Sequence, residues 1–469
     1  KVYMFRANLY YTIFKYPVLS VLLVALWNIP FYCHANKSNC RKIENEKPIL
    51  GLIFDVHHCE RDGNHGSFII HAKNSSLEKE NTTEVNKNIR LAGRIVGPIV
   101  EELFFKLDRN DESVGHYYLP SEGNYLINIE IRYLHFNPEL ISSTKVYFAE
   151  NEILHDFPLL MNTSIVNTAP RKICEINDFH YRGYWSNSRP DLLPSKWIYT
   201  VPLNASNDEK IFPGNWEKYR VPYHVDFIEL MSKAVAYVPP ENCDYITLDQ
   251  MQSFAVESKF CFIGDSQMRH WGWSMQCVAT DDFSYMNQTR TGDKSKPTAS
   301  NFVHFVDNYL GLISNESLKR YENCTDILVG SGQWFVGFPN ARPLSYYVSR
   351  ISNALKTMKA SPYVKNLLWT GTSPYGNNPF LYADPPKDFR NDAVLEAFNH
   401  ASVDIAKQLD IDYINFFEIG TALRDLASDF AHFHLPVATN LAFVAFTALF
   451  MRAEAKKRSS SSVGHIIER

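Results

Sequence analysis

Apolar and polar residues alternate with a period of two across positions 125–133. Ile127, Ile129 and Ile131 fall on one face, and Asn128, Glu130 and Arg132 on the other. That period predicts a strand with one buried face. Ser121-Glu122-Gly123-Asn124 supplies a turn after Tyr117-Tyr118-Leu119, so positions 93–149 read as antiparallel, β-sandwich-like structure. After Ser258 the pattern changes. Short apolar runs at 259–263, 326–330, 366–370 and 412–417 are separated by helical periodicity at 268–278, 345–359 and 391–409. Buried strands separated by helices predict a three-layer α/β domain on a parallel sheet, with its ligand site beyond the carboxyl ends of the strands.

Between these regions, 151–250 is rich in Pro, Trp and Tyr and low in periodicity, which predicts an irregular, disulfide-tied lead-in. The apolar stretch 441–451 is too short to span a bilayer and reads as a packed terminal helix. The expected division is a signal peptide or signal-anchor at 1–35 and a β-sandwich-like domain at 36–150. The lead-in then occupies 151–250, the α/β domain 251–455 and a disordered basic tail 456–469.

The N-terminus changes the picture most. Lys1, Arg6 and Lys15 precede an apolar run at 18–27, and Cys33 and Ala35 place small residues before Asn36. This pattern fits a cleaved signal peptide. A run counted from 16 to 33 fits an uncleaved single-pass anchor equally, and basic residues on both sides leave the two readings open. Either way the rest of the chain is expected in the secretory pathway, in the Golgi lumen behind a type II anchor or secreted. Asn36, Asn74, Asn81, Asn162, Asn204, Asn287, Asn315 and Asn323 each begin an N-x-Ser/Thr glycosylation sequon.

The eight cysteines form no C-x-x-C pair, so disulfides are expected rather than zinc. Cys40–Cys59 and Cys174–Cys243 are local closures, and Cys277–Cys324 is a third candidate. Cys261, inside an apolar strand, is expected to be a buried thiol. His57, His58, His65 and His71 are irregularly spaced without a completing acidic set, so no metal site is expected. A formal charge of −4 gives no reason to expect nucleic acid as a partner.

The candidate chemistry lies in Phe262-Ile263-Gly264-Asp265-Ser266-Gln267-Met268-Arg269, between the first predicted strand and the first predicted helix of the α/β domain. A serine at such a turn is placed as a nucleophile, and a helix N-terminus offers N–H groups to a developing oxyanion. Asp429 and His432, three apart and just before the last helix, can supply the base and the carboxylate that orients it. His434 is the local competitor, and an extended loop would turn the two imidazoles opposite ways. The Ser266 N–H is one expected oxyanion donor. Gly332 or Gln333, in Gly330-Ser331-Gly332-Gln333-Trp334 after the next strand, is the other. Asp265 and Arg269 are supporting residues.

These residues resemble the PC-esterase group of the SGNH-like superfamily, which includes trichome-birefringence-like polysaccharide O-acetyltransferases and neurexophilin-and-PC-esterase proteins. The matching pieces are the Gly-Asp-Ser-x-x-Arg run, Asp326-Ile327-Leu328-Val329 leading to Gln333-Trp334, and Asp429-x-x-His432. Upstream, Cys174, Gly183-Tyr184-Trp185 and the run from Tyr237 to Cys243 look like the lead-in of those proteins. Gly332-Gln333 departs from the Gly-x-Asn of the superfamily's hydrolases. The resemblance implies a glycan O-acyltransferase with a Ser-His-Asp triad, an acyl-serine intermediate and no bound cofactor. An acetyl donor such as acetyl-CoA or another acetyl ester would be the co-substrate, and a glycan or polysaccharide the acceptor. A carbohydrate O-acetyl esterase and a non-catalytic cell-surface binding protein are the alternatives.

Overall fold

The computed structural model describes residues 40–43, 48–49, 51–61, 64–74, 86–134, 137–139, 145–146, 152–161, 171–180, 183–186, 189–193, 236–240, 242–282, 301–311, 313–337, 341–374, 392–423 and 437–467. Two sheets organise them. The larger is antiparallel and built from β1 (Cys40–Ile43), β2 (Leu52–Glu60), β3 (His65–Asn74), β4 (Arg90–Val96), β5 (Ile99–Leu107), β6 (Ser113–Tyr118), β7 (Gly123–Leu134), β8 (Lys145–Val146), β9 (Glu152–Met161), β10 (Tyr184–Ser186) and β11 (Ala236–Val238). Its order is β1-β2-β3-β6-β5-β4-β7-β8, with β9 beside β7 and β10 beside both β5 and β11.

Its strands form two ladders that meet in β5, which pairs with β4 over residues 100–104 and with β6 over 105–107. The sheet also runs past position 150. β9 contains Pro158, which argues against a strand, yet it is tolerated on a strand that, among the described residues, is paired on one side only, to β7. β10 and β11 carry the sheet into the segment read as irregular. That segment is fastened by the Cys174–Cys243 disulfide and by the Gly183 N–H, which donates to the Tyr237 hydroxyl at 2.8 Å.

The smaller sheet is the parallel one. Its strands are β12 (Phe260–Gly264), β13 (Phe302–Val306), β14 (Asp326–Gly330), β15 (Leu367–Gly371) and β16 (Asp412–Tyr413), in the order β13-β12-β14-β15-β16. The parallel reading therefore describes this sheet and not the larger, antiparallel one. β13 has no counterpart in the sequence reading, because it is a half-exposed edge strand without a continuous apolar run. The helices are α1 (Leu248–Glu257), α2 (Ser266–Thr280), α3 (Asn315–Leu318), α4 (Gln333–Val336), α5 (Leu344–Ala360), α6 (Asp392–Gln408), α7 (Phe416–Thr421) and α8 (Val437–Ile467).

Strand alternation sorts the cores. Phe260 and Phe262 of β12 pack in one core with Met268, Trp271, Met275 and Val278, the apolar stripe of α2, and with the buried start of α8. Cys261 and Ile263 point into the other core, with Tyr347, Ile351 and Leu355 of α5 and Phe398 of α6. The first core continues into the antiparallel sheet through Ile127, Ile129 and Ile131. Asn128, Glu130 and Arg132 are buried too, against the expectation of a solvated face. Their side of the sheet is covered: Arg90, Glu102 and Arg132 line a cavity together with Glu396 of α6 and Phe417 and Thr421 of α7. The Trp185 indole of β10 donates to the Ile419 carbonyl of α7 at 2.8 Å, a second tie between sheet and helices.

Residues 437–449 of α8 are all buried. Over 437–459 this helix is long and apolar enough to cross a membrane, but 78% of its apolar window is buried within the protein, as in a core helix. Two of its polar residues tie it to the rest of the protein: Asn440 accepts from the Tyr237 N–H at 3.0 Å, and Arg452 donates to Asp326 at 2.7 Å. The helix then runs to Ile467, through the tail expected to be disordered. Ala453, Ala455 and Lys456 are strong helix formers, and Lys457 pairs with Glu454 one turn earlier.

Cys40 and Cys59 are both disulfide-bonded. The last expected bridge is replaced. Cys261 bonds to Cys324, and Cys277 is the buried thiol. Alternation along β12 explains the exchange: Cys261 faces the α5–α6 core, where Cys324 lies just before β14. Cys277, on α2, belongs to the core on the opposite face. Disulfides are the chemistry of an oxidising compartment.

Candidate active site

Four of the five parallel strands end level with one another. Gly264 lies opposite Val306 on one side and Gly330 on the other, and Gly330 lies opposite Gly371. The loops that follow, carrying Ser266, Asp307, Gly332 and Thr372, therefore leave the sheet along one edge.

Ser266 is the first residue of α2, and Asp265 is its N-cap. The Asp265 carboxylate accepts from the Gln267 N–H at 2.9 Å and is buried. This cap anchors the helix start and costs one first-turn donor. Gly264 is needed for the turn itself. Its φ is +149, and an added Cβ would overlap the Gly330 carbonyl and come within 2.7 Å of Met268 Cγ. Ser266 is half-buried at this turn. Arg269, one turn on, lies 5.1 Å over the Trp273 ring, so it braces the outer side of α2.

The neighbouring turn repeats the arrangement. Gly332 caps α4, and a Cβ there would meet Thr372 Cβ at 2.6 Å. Ser331 is fixed twice: its hydroxyl donates to the Asn308 carbonyl at 2.9 Å, and its carbonyl accepts from the Tyr347 hydroxyl at 3.0 Å. Burial pushes the Tyr347 phenol well above its ordinary range, so it remains a donor. Gln333 follows, only 2% exposed, and its Nε2 has no hydrogen-bond partner among the described residues. A buried amide nitrogen without an acceptor is costly to the fold and suits a ligand oxygen.

Residues from β13 complete the edge. The Asp307 N–H donates to the Gly264 carbonyl at 2.9 Å, and the Asp307 carboxylate accepts from the Gly311 N–H at 2.9 Å. His304 Nε2 lies 3.2 Å from the Asp265 carbonyl. Burial, with the nearby Arg269 charge, lowers this imidazole to about 4 and keeps it neutral. The sequence singles out neither residue, since the strand that bears His304 and leads into Asp307 has no continuous apolar run.

The structure thus brings Ser266, Asp265, Arg269, Gly332 and Gln333 to one edge. Asp429, His432 and His434 lie outside the described residues, as do Asn36, Asn81, Asn162, Asn204 and Asn287. Asn315 and Asn323 are exposed, as a glycan would require. Among the described residues no cluster of three or more His, Cys, Asp or Glu could hold a metal ion.

No family model matches the chain, and no curated protein does. Among solved structures it is similar to the inhibitor-bound aryl esterase of M. smegmatis, with 9% identity over 42% of this chain and 97% of that one and a TM-score of 0.28. It is similar also to a lipase/acylhydrolase from Enterococcus faecalis, with 12% identity over 41% and 96% and a TM-score of 0.27. A third is Est24, a carbohydrate acetylesterase from Sinorhizobium meliloti, with 11% identity over 40% and 96% and a TM-score of 0.27. Likeness at this level carries no chemistry across, and the functional reading rests on the residues of this chain.

Proposed function

We propose that this chain is a serine-dependent acyl-transfer enzyme of the secretory pathway that moves an O-acyl group, acetyl in the first instance, onto a glycan hydroxyl. The observation that carries the reading is the pairing of two turns at one sheet edge. Ser266 opens α2 immediately after its Asp265 cap, and the buried Gln333, whose Nε2 has no partner among the described residues, opens α4 beside it.

In this reading His432, oriented by Asp429, takes the proton from the Ser266 hydroxyl as its oxygen attacks the acyl carbon. The carbonyl oxygen becomes an oxyanion held by the Ser266 N–H and Gln333 Nε2. Collapse expels the donor's leaving group with a proton from His432 and leaves an acyl-serine. A sugar hydroxyl, deprotonated by the same imidazole, then takes the acyl group and frees the serine. Water in place of the sugar makes the enzyme an esterase, and acceptor binding decides between them. The resemblance in the Gly-Asp-Ser-x-x-Arg and Asp-x-x-His runs favours transfer to a glycan.

The test is turnover of purified protein with acetyl donors and a glycan panel, read by mass spectrometry. Ser266→Ala and His432→Ala should each lose orders of magnitude in rate, and His434→Ala far less. Wild-type rates in Ser266→Ala would remove the nucleophile, and equal losses at His432 and His434 would remove the assignment of the base.

A further inference from the structure

We infer that His304 is a positioning residue that aims the Ser266 N–H, acting through the carbonyl of Asp265. The inference rests on the reading of Ser266 as nucleophile and of its N–H as an oxyanion donor. It assigns a role to a side chain on a strand that carries neither.

The geometry begins with register. His304 lies opposite Phe262 in the β12–β13 ladder, two residues before the level of Gly264. From there its Nε2 lies 3.2 Å from the Asp265 carbonyl oxygen. A carbonyl oxygen only accepts, so Nε2 must carry the proton and donate. The helix's own claim on that oxygen is slack, because the Arg269 N–H reaches it at 3.4 Å. His304 is therefore the closer donor.

The peptide unit transmits the effect. The Asp265 carbonyl and the Ser266 N–H belong to one planar trans peptide and point in opposite directions. Holding the oxygen toward β13 aims the N–H away from β13. The preceding carbonyl, of Gly264, is held from the same strand end by the Asp307 N–H at 2.9 Å. Two consecutive carbonyls of the nucleophile turn are thus fixed from β13, which leaves the turn little freedom to rock about the Gly264 backbone. Because burial keeps the imidazole neutral down to about pH 4, the donor is in the same state across the neutral range. His304 is not placed as the base, since its Nε2 is committed to backbone oxygen.

The test compares His304→Met, which keeps bulk but has no donor, with His304→Gln, which keeps a donor. Both are assayed with Ser266→Ala on a short acetyl ester. His304→Met should lower kcat about tenfold with KM within about twofold, since a misaimed donor loses part of what a deleted one loses. His304→Gln should recover most of kcat, and the acidic limb of the pH–rate profile should stay where it is in the wild type. A boronic acid that mimics the tetrahedral adduct should weaken in His304→Met by the same factor as kcat/KM. If Ser266→Ala is inactive but His304→Met keeps wild-type kcat, the inference fails while the reading of the nucleophile stands. A shifted acidic limb would make His304 the base and overturn the inference equally. If Ser266→Ala itself turns over normally, the underlying reading fails first.

Discussion

Gly264 and Gly330 sit side by side on adjacent parallel strands so closely that a Cβ on the first would overlap the carbonyl oxygen of the second. The contact has no slack, because the opposing atom is backbone rather than a side chain that can swing away. Gly264 also holds φ +149, where an L-residue is strained. Gly264→Ala should therefore destabilise the fold by about 2 kcal/mol or more. Urea unfolding of the purified variant measures the loss, and a variant as stable as the wild type would mean that the turn is built differently.

Gln333 offers a separation of stability from activity. Among the described residues its buried Nε2 has no acceptor. Gln333→Met keeps the volume and removes the donor. The variant should melt at the wild-type temperature or higher, gaining up to about 1 kcal/mol, while kcat falls by about 10²–10³. Paired melting and single-ester kinetics check both halves, and unchanged kcat would exclude the amide from the oxyanion site.

Acid should destabilise the protein in part through two buried imidazoles. His180, stacked on Tyr413 at 3.8 Å, and His304 are each lowered to about 4, in both cases chiefly by burial. An unfolded histidine takes its proton near 6.5, so between there and about pH 4 the unfolded chain binds protons that the folded chain does not. The stability these groups allow is fully present above pH 6.5 and is lost as pH falls through the window. His304→Gln removes one such proton. Its melting temperature should fall less steeply than the wild type's between pH 6.5 and 4, and identical slopes would contradict the neutral state given to His304.

The bridge pattern is open to direct mapping. Non-reducing peptide analysis of secreted protein should recover Cys261 joined to Cys324 and Cys174 to Cys243. Cys277 should be alkylated only after denaturation. Cys324→Ser should cost about 2–4 kcal/mol. A peptide joining Cys277 to Cys324 would contradict the sorting of the two cores.

What the sequence made legible follows from what its patterns encode. Four of the five parallel strands, and α2, α5, α6 and the start of α8, are visible because each is a short apolar run or a 3.6-residue stripe, such as Met268, Trp271, Met275 and Val278. The turn at Ser266 was legible because glycine, aspartate and serine each have a local job there. Pairing across space was not. Cys261 looked isolated because its partner lies 63 residues away. Arg132 and Glu130 looked solvated because nothing in their own strand announces the helices that cover them. His304 was invisible for the same reason, since its bond to the Asp265 carbonyl belongs to the fold and not to its neighbours in sequence.

The proposed chemistry depends most directly on the reactivity of one hydroxyl. Native full-length protein incubated with a fluorophosphonate, digested and sequenced by mass spectrometry, should carry one adduct on Ser266, lost in Ser266→Ala and strongly slowed in His432→Ala. An adduct on another residue, or folded protein that takes no label at Ser266, would contradict the claim that this turn presents a catalytic nucleophile.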